Sequence, residues 1–386
     1  MENKVQETKP PFRMAGSKAL VDRRLKTEEL QPEYDKIRHL EPLITEDVRA
    51  VTSHLGTKCA GLQYAVKTAS SMENRLQREK KKSERKRKLF HPVSFLHELG
   101  DTVRYTELCE HEKLVPMTRK TIAEMQKRGY TLTKLINFYQ HPFPETGYMG
   151  IHLNFISQYG QPVELQVHSP ESFQAKQEGH VYYEKIRSVS SKPSVKQVLI
   201  GKVQKIHHSV PKPPEYEALT DYKMPSDQVH AVMEERRKAI EIHSETMFED
   251  VRRPETGEKE AVNVEMFTVA MNGKTLLSGQ EEHYKDGSAN AYRRYANGIE
   301  TEESFTRHGD SIAVTYGRQH DRPKTMTELL AKAEQVQRDH DVWMQEHFPN
   351  GEHTEPEEQR TEHSVSDPSE HKTKRMHDSH DSDLSR

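Results

Sequence analysis

Apolar side chains are scarce in this chain. Hydrophobic residues make up 32% and charged residues 31% of its 386 positions. That apolar share is too low for one compact globule of this length, so part of the chain is expected to stay unfolded. Length alone suggests two domains, or three. Cysteine is nearly missing. Cys59 and Cys109 stand alone, which excludes a disulfide framework. With no C-x-x-C and no paired histidines beside them, they read as small buried side chains rather than zinc ligands. No apolar stretch approaches the roughly 20 residues needed to span a bilayer. The start, Met1-Glu2-Asn3-Lys4, lacks the apolar segment of a secretory signal. The expectation is a soluble, cytoplasmic protein with no membrane partner, export by a signal-independent route being left open. The net charge of -3 says nothing about partners, but its distribution does.

Polarity and Pro10-Pro11 mark residues 1–40 as a flexible arm. From Pro42 to Ser71, Leu43, Ile44, Val48, Val51, Leu55, Leu62, Ala65 and Val66 recur at three- and four-residue intervals, the helical period. Residues 75–88 are strongly basic. They read either as a solvated helix end or as an electropositive wall for phosphates, with no interleaved aromatics to stack on bases. Strands are expected at 101–108 and 134–139, with a helix between them stopped by Gly129. Residues 152–157 and 162–168 read as a hairpin, and 170–187 as a helix. This order predicts an α+β domain over 41–187, a small mixed β-sheet flanked by helices. Residues 188–259 read as a linker marked by Pro193, Pro211, Pro213 and Pro214, then a helix from Asp227 to about Val251. Residues 260–345 read as a small, mainly-β module with turns at Asn272-Gly273 and Lys285-Asp286-Gly287, a strand at 311–316 and a terminal helix over 325–345. Residues 346–386, charged and rich in histidine, read as a disordered tail.

The strand at 162–168 carries the most informative pattern. Glu164, Gln166 and His168 fall on one face, and Val163, Leu165 and Val167 on the other. Such a strand packs on helices with one face and lines a cleft with the other. Asp101 is expected to head a neighbouring strand. Two carboxylates on neighbouring strands can hold Mg²⁺, which takes one or two carboxylates together with substrate phosphates and neutralises a transferring phosphoryl or pyrophosphoryl group. One of them can also accept a proton from an attacking hydroxyl. Lys67, Ser71 and Arg75 recur every four residues, one face of a helix. They are either an ordinary polar face or two cations and a hydroxyl offered to a polyphosphate.

These pieces resemble, in order, the motifs of RelA/SpoT-type alarmone synthetases. Lys67-x-x-x-Ser71-x-x-x-Arg75 resembles their ATP-phosphate-binding helix, and Asp101 their Mg²⁺-binding aspartate. Gly147-Tyr148-Met149-Gly150-Ile151-His152 resembles the motif whose tyrosine stacks on the acceptor guanine. Val163-Glu164-Leu165-Gln166-Val167 resembles the strand with the essential glutamate, and His180-x-x-Tyr183 the closing-helix motif. The resemblance covers residues 60–187. It implies a nucleotidyltransferase-like fold and transfer of the β,γ-pyrophosphate of ATP to the 3′-hydroxyl of GDP or GTP. It further implies Asp101 and Glu164 as metal-holding and catalytic residues. Lys67, Ser71, Arg75, Arg104, Tyr148, His152, Gln166, His168, His180 and Tyr183 would contact the nucleotides. The stretch Ser169-Pro-Glu-Ser-Phe-Gln-Ala-Lys176 resembles a divergent branch associated with phage, plasmid and secreted-toxin proteins.

The departures all remove fixed positive charge. Ala65 stands where the family has arginine, and Arg104 and Thr106 where it has glycine and arginine. Pro144 replaces a lysine ahead of Gly147, His168 follows the glutamate strand in place of a stronger base, and Glu184 replaces the closing lysine. Arg104 and the basic run at 78–88 are the candidates to compensate. Two alternatives stay open. One is a toxin that pyrophosphorylates another acceptor such as tRNA. The other is an inactive nucleotide-binding scaffold of a mobile element, with a partner held through residues 188–345.

Overall fold

A computed structural model describes residues 18–187, 193–252, 257, 259–308 and 311–316. The chain opens its regular structure with α1 (Gln31–Leu55), then β1 (Lys58–Ala60), α2 (Ala69–Arg85), α3 (Pro92–Glu98), β2 (Val103–Leu108), α4 (Leu114–Lys127) and β3 (Thr131–Asn137). Next come β4 (Ile151–Ile156), β5 (Pro162–His168), α5 (Pro170–Arg187), α6 (Pro193–His208), β6 (Tyr222–Lys223) and α7 (Ser226–Arg237). Six strands follow: β7 (Ile240–Arg252), β8 (Lys259–Met271), β9 (Lys274–His283), β10 (Ala289–Tyr295), β11 (Glu300–His308) and β12 (Ser311–Tyr316). The class is α+β, as expected.

The first sheet has the order β1-β2-β5-β4-β3-β6. Only β2 and β5 run parallel; the other neighbours are antiparallel, which makes the sheet mixed. Its apolar face is built by period-two alternation. Val103, Leu153, Phe155, Val163, Leu165 and Val167 have no exposed surface. α1 covers that face with Ile44 and Val48, and the Thr45 hydroxyl lies 2.8 Å from the Tyr105 hydroxyl on β2. Cys109 is buried and Cys59 half-buried, and both are free thiols.

Several expectations are corrected here. Residues 31–40 are not an arm: they form the first turns of α1, and Tyr34, Ile37 and Leu40 are buried. The periodic stretch 42–71 is not one helix. Gly56 ends α1 in the left-handed conformation (φ 70°), and Gly61 (φ 69°) turns the chain again after β1. Residues 188–225 are not all linker. Pro193 occupies the first residue of α6, where a missing N–H is tolerated, and Leu199 and Val203 are buried. The predicted helix 227–251 stops at Arg237, and the rest is the long strand β7. The helix expected over 325–345 and the tail from 346 lie outside the described residues.

The second sheet is an antiparallel meander in sequence order, β7 to β12. Asn272 (φ 51°) and Gly273 (φ 72°) make the tight turn between β8 and β9. The sheet packs on α1 and on the segment just before it through buried ion pairs. Arg23 Nη1 lies 2.9 Å from Glu265 Oε2, His39 Nε2 lies 3.0 Å from Glu265 Oε1, and Arg38 pairs with Glu281. The His39 ring stacks on Phe267 at 4.1 Å. Glu265, Glu281 and His283 bring ligand-type atoms within 4.8 Å of one another, but Arg38 and Arg293 already supply the positive charge there. Among the described residues no helix is long and apolar enough to cross a membrane.

Candidate functional site

The polar face of the first sheet is assembled by register. On β5, Glu164 lies between Arg104 of β2 and Asn154 of β4, and Gln166 lies between Thr106 and His152. The expected face of β5 is therefore extended by both neighbours. Gln166 Nε2 donates to Glu164 Oε1 at 2.5 Å, and His152 Nδ1 lies 3.5 Å from Glu164 Oε2. Burial by itself would raise the Glu164 pKa. His152, then Arg104 and the Gln166 hydrogen bond, outweigh it and hold the carboxyl at about 2. Glu164 is thus ionised across the physiological range.

Asp101 does not head the strand. It occupies the turn before Val103. That turn leans over β4: a Cβ added to Gly100 would stand 3.0 Å from Asn154 Nδ2, at the level of Glu164. Lys67 donates from Nζ to Asp101 Oδ2 and to the Asp101 carbonyl, each at 2.7 Å. Burial draws the Lys67 pKa down and Asp101 opposes it; Arg104 and Glu164 are also close enough to act on it. The second carboxylate oxygen, Asp101 Oδ1, is buried and has no hydrogen-bond partner among the described residues. An orphaned carboxylate oxygen near an ionised glutamate is a hard-oxygen donor set that fits a divalent cation.

Lys67, Ser71 and Arg75 do not share a helix. Lys67 precedes the N-cap, Thr68, whose hydroxyl accepts from the Ser71 N–H at 3.4 Å, and only Ser71 and Arg75 lie on α2. Lys67 consequently points to Asp101 and serves the carboxylate first. Ser71 is exposed, while Arg75 is half-buried, with Nε unpaired among the described residues and Nη2 3.9 Å from Glu79.

Across the sheet, the Tyr148 hydroxyl lies 2.8 Å from His152 Nε2 and 2.9 Å from His168 Nε2. Phe138, His152, His168 and His207 all meet the Tyr148 ring edge-to-face at 5.4–5.7 Å between centroids. The ring is half-buried. His168 is a correction. It has no exposed surface, Nδ1 lies 2.9 Å from Ser172 Oγ, and burial holds its pKa well below the usual histidine value. It is a neutral support for Tyr148 and cannot stand in for a basic phosphate contact. His180 is exposed on α5 and bonds to none of the described cleft residues, and Tyr183 is half-buried. The Glu184 side chain lies outside the described residues.

No protein-family model matches the chain, and no curated protein matches it. Solved structures do. The chain is similar to the Type VI effector Tas1, solved in complex with its immunity protein, at 20% identity over 43% of this chain and 87% of that one, with a TM-score of 0.29. It is similar to small alarmone synthetase 1 from Bacillus subtilis bound to its product pppGpp, at 16% identity over 47% and 91%, TM-score 0.29. A third likeness is to small alarmone synthetase 2 from Bacillus subtilis, at 17% identity over 44% and 84%, TM-score 0.30.

Three contributors to the site were not among the expected site residues. Phe138 and His207 brace Tyr148, and His207 is buried. Lys176, two turns into α5, donates to Gln166 Oε1 at 2.6 Å and lies 3.2 Å from Thr106 Oγ1. The four-residue rise from Ser172, which holds His168, to Lys176 was the available signal, since residues four apart share a helix face.

Proposed function

We propose that this chain transfers pyrophosphate from ATP to the 3′-hydroxyl of a guanine nucleotide. The observation that carries the reading is the polar sheet face on which ionised Glu164 stands among Arg104, Gln166 and His152, with the Lys67–Asp101 pair leaning over it. In the transfer, the acceptor oxygen bonds to the β-phosphorus of ATP, the bond from that phosphorus to the α–β bridging oxygen breaks, and AMP leaves. The hydroxyl proton passes to water. Catalysis of this kind is mostly positioning plus electrostatics.

Each residue has a distinct task in this reading. Asp101 Oδ1 and Glu164 would hold Mg²⁺, which when bound neutralises the transferring group. Glu164, with its low pKa, accepts a hydrogen bond from the attacking hydroxyl and orients it; it stores a proton poorly. Lys67 fixes the Asp101 carboxylate. Arg75 faces donor phosphates, with Ser71 at the rim. Tyr148 offers its ring to the acceptor base, because any purine stacks on an aromatic face. His152 and Gln166 orient the acceptor's ribose.

The test is direct. Purified protein is incubated with ATP labelled in its terminal phosphates, Mg²⁺, and GDP, GTP or bulk tRNA. Label in GDP or GTP with matching AMP release is the expected result, lost in Glu164→Gln. Label in tRNA alone would move the acceptor to RNA. Absence of label from every acceptor would sink the transfer reading.

A further inference from the structure

Lys176 is a half-buried ammonium without a counter-ion. Its two acceptors, Gln166 Oε1 and Thr106 Oγ1, are both neutral, and no carboxylate pairs with it among the described residues. The ammonium also lies 5.7 Å from the centroid of the Phe173 ring. An ammonium has three donors, and sinking its charge without a partner is costly. Arg104, two positions back along β2 from Thr106, likewise makes no ion pair among the described residues. Strand geometry puts those two levels about 7 Å apart on the same face. Two cations therefore flank one stretch of cleft whose single nearby carboxylate among the described residues, Glu164, is occupied by Gln166 and His152.

We propose that Lys176, with Arg104, forms the seat for a phosphate of the acceptor nucleotide. The placement decides the owner of the phosphate. Lys176 stands at the level of Gln166 and His152, beside the Tyr148 cluster, whereas Lys67 and Asp101 mark the opposite end. A phosphate oxygen arriving there completes the ammonium's donor set and supplies the missing charge. Residues 170–187 thereby restore, from a helix, a cation that the strand sequence lacks. Only the phosphate's ownership rests on the transfer reading; the anion seat itself rests on the unpaired ammonium.

Calorimetric titrations with inorganic pyrophosphate, GDP and ATP test the seat in wild type, Lys176→Met and Lys176→Arg. The Met variant should lose about tenfold or more in pyrophosphate and GDP affinity, with ATP affinity unchanged, and the Arg variant should retain most of the binding. Unchanged pyrophosphate binding in the Met variant overturns the proposal. So does a folded Arg variant that binds no better than Met, or a wild type that binds no pyrophosphate. Lys176-dependent pyrophosphate binding in a protein that labels no acceptor would keep the seat and discard the transfer reading. Label transfer with GDP affinity indifferent to Lys176 would do the reverse.

Discussion

The Tyr148 hydroxyl lies 2.9 Å from Nε2 of His168, a side chain with no exposed surface. Since the other ring nitrogen is already bonded to Ser172 Oγ, Tyr148 completes the histidine's hydrogen bonding. Tyr148→Phe keeps the ring and removes that partner. A buried polar atom left unsatisfied costs about 1–3 kcal/mol. Urea denaturation should show that loss, while acceptor affinity falls only modestly because the aromatic face remains. Tyr148→Ala should weaken GDP binding far more than ATP binding; equal effects on both nucleotides would count against stacking.

Gly150 sets the distance between those two side chains. A Cβ there would stand 2.7 Å from His168 Cε1 and 2.9 Å from the Tyr148 hydroxyl. Gly150→Ala must therefore push Tyr148 or His168 aside. Overpacking of this kind costs about 1–3 kcal/mol, and acceptor affinity should drop with it. Gly201→Ala is the matched control. It sits inside α6 with nothing within 4 Å of an added Cβ, and should stabilise by about 0.5–1 kcal/mol.

Local pattern revealed more of this protein than distant pairing did. α5 and β5 lie where periodicity and alternation put them, and the two faces of β5 separate as expected. β7 was hidden because its glutamates favour helix while its stability comes from thirteen register partners on β8, which no local window contains. α6 was hidden because Pro193 reads as a breaker, yet at the first helical residue it breaks nothing. In the cleft, Glu164 was legible from its own strand. Lys176 was not, because its role depends on α5 folding back over Thr106 of β2, seventy residues earlier in the chain.

The second sheet should not separate from the first domain. Arg38 and His39 of α1, and Arg23 just before it, pair with Glu265 of the second sheet, and Arg38 also with Glu281. Arg38→Met takes one cation from Glu265 and Glu281, which keep Arg23 and Arg293, and should cost about 1–3 kcal/mol. A chain ended after Arg237 would leave Arg23 and His39 without their acid partner and expose Phe267's stacking partner. It should be recovered in aggregates or melt at markedly lower temperature by circular dichroism. A truncated chain as stable as the whole would refute the coupling.

Lys176 also predicts a pH signature. Burial, then the Arg104 charge, lowers its pKa from 10.5 to about 7, with Glu164 opposing. Neutral His168 faces it as well and carries no charge to offset. Between about pH 7 and 10.5 the unfolded chain holds a proton that the folded chain has released, so this residue makes stability rise with pH in that window. The penalty is absent above the unfolded value and complete below about 7. Lys176→Met removes it. The variant should therefore gain on wild type as pH falls from about 10 to about 6 in urea titrations, and the gain should level off below about 7. Contact with solvent at this half-buried side chain trims its size. Saturating pyrophosphate supplies the counter-charge and should flatten the wild-type slope, leaving Lys176→Met unmoved. A slope indifferent to pyrophosphate would mean that the anion settles elsewhere.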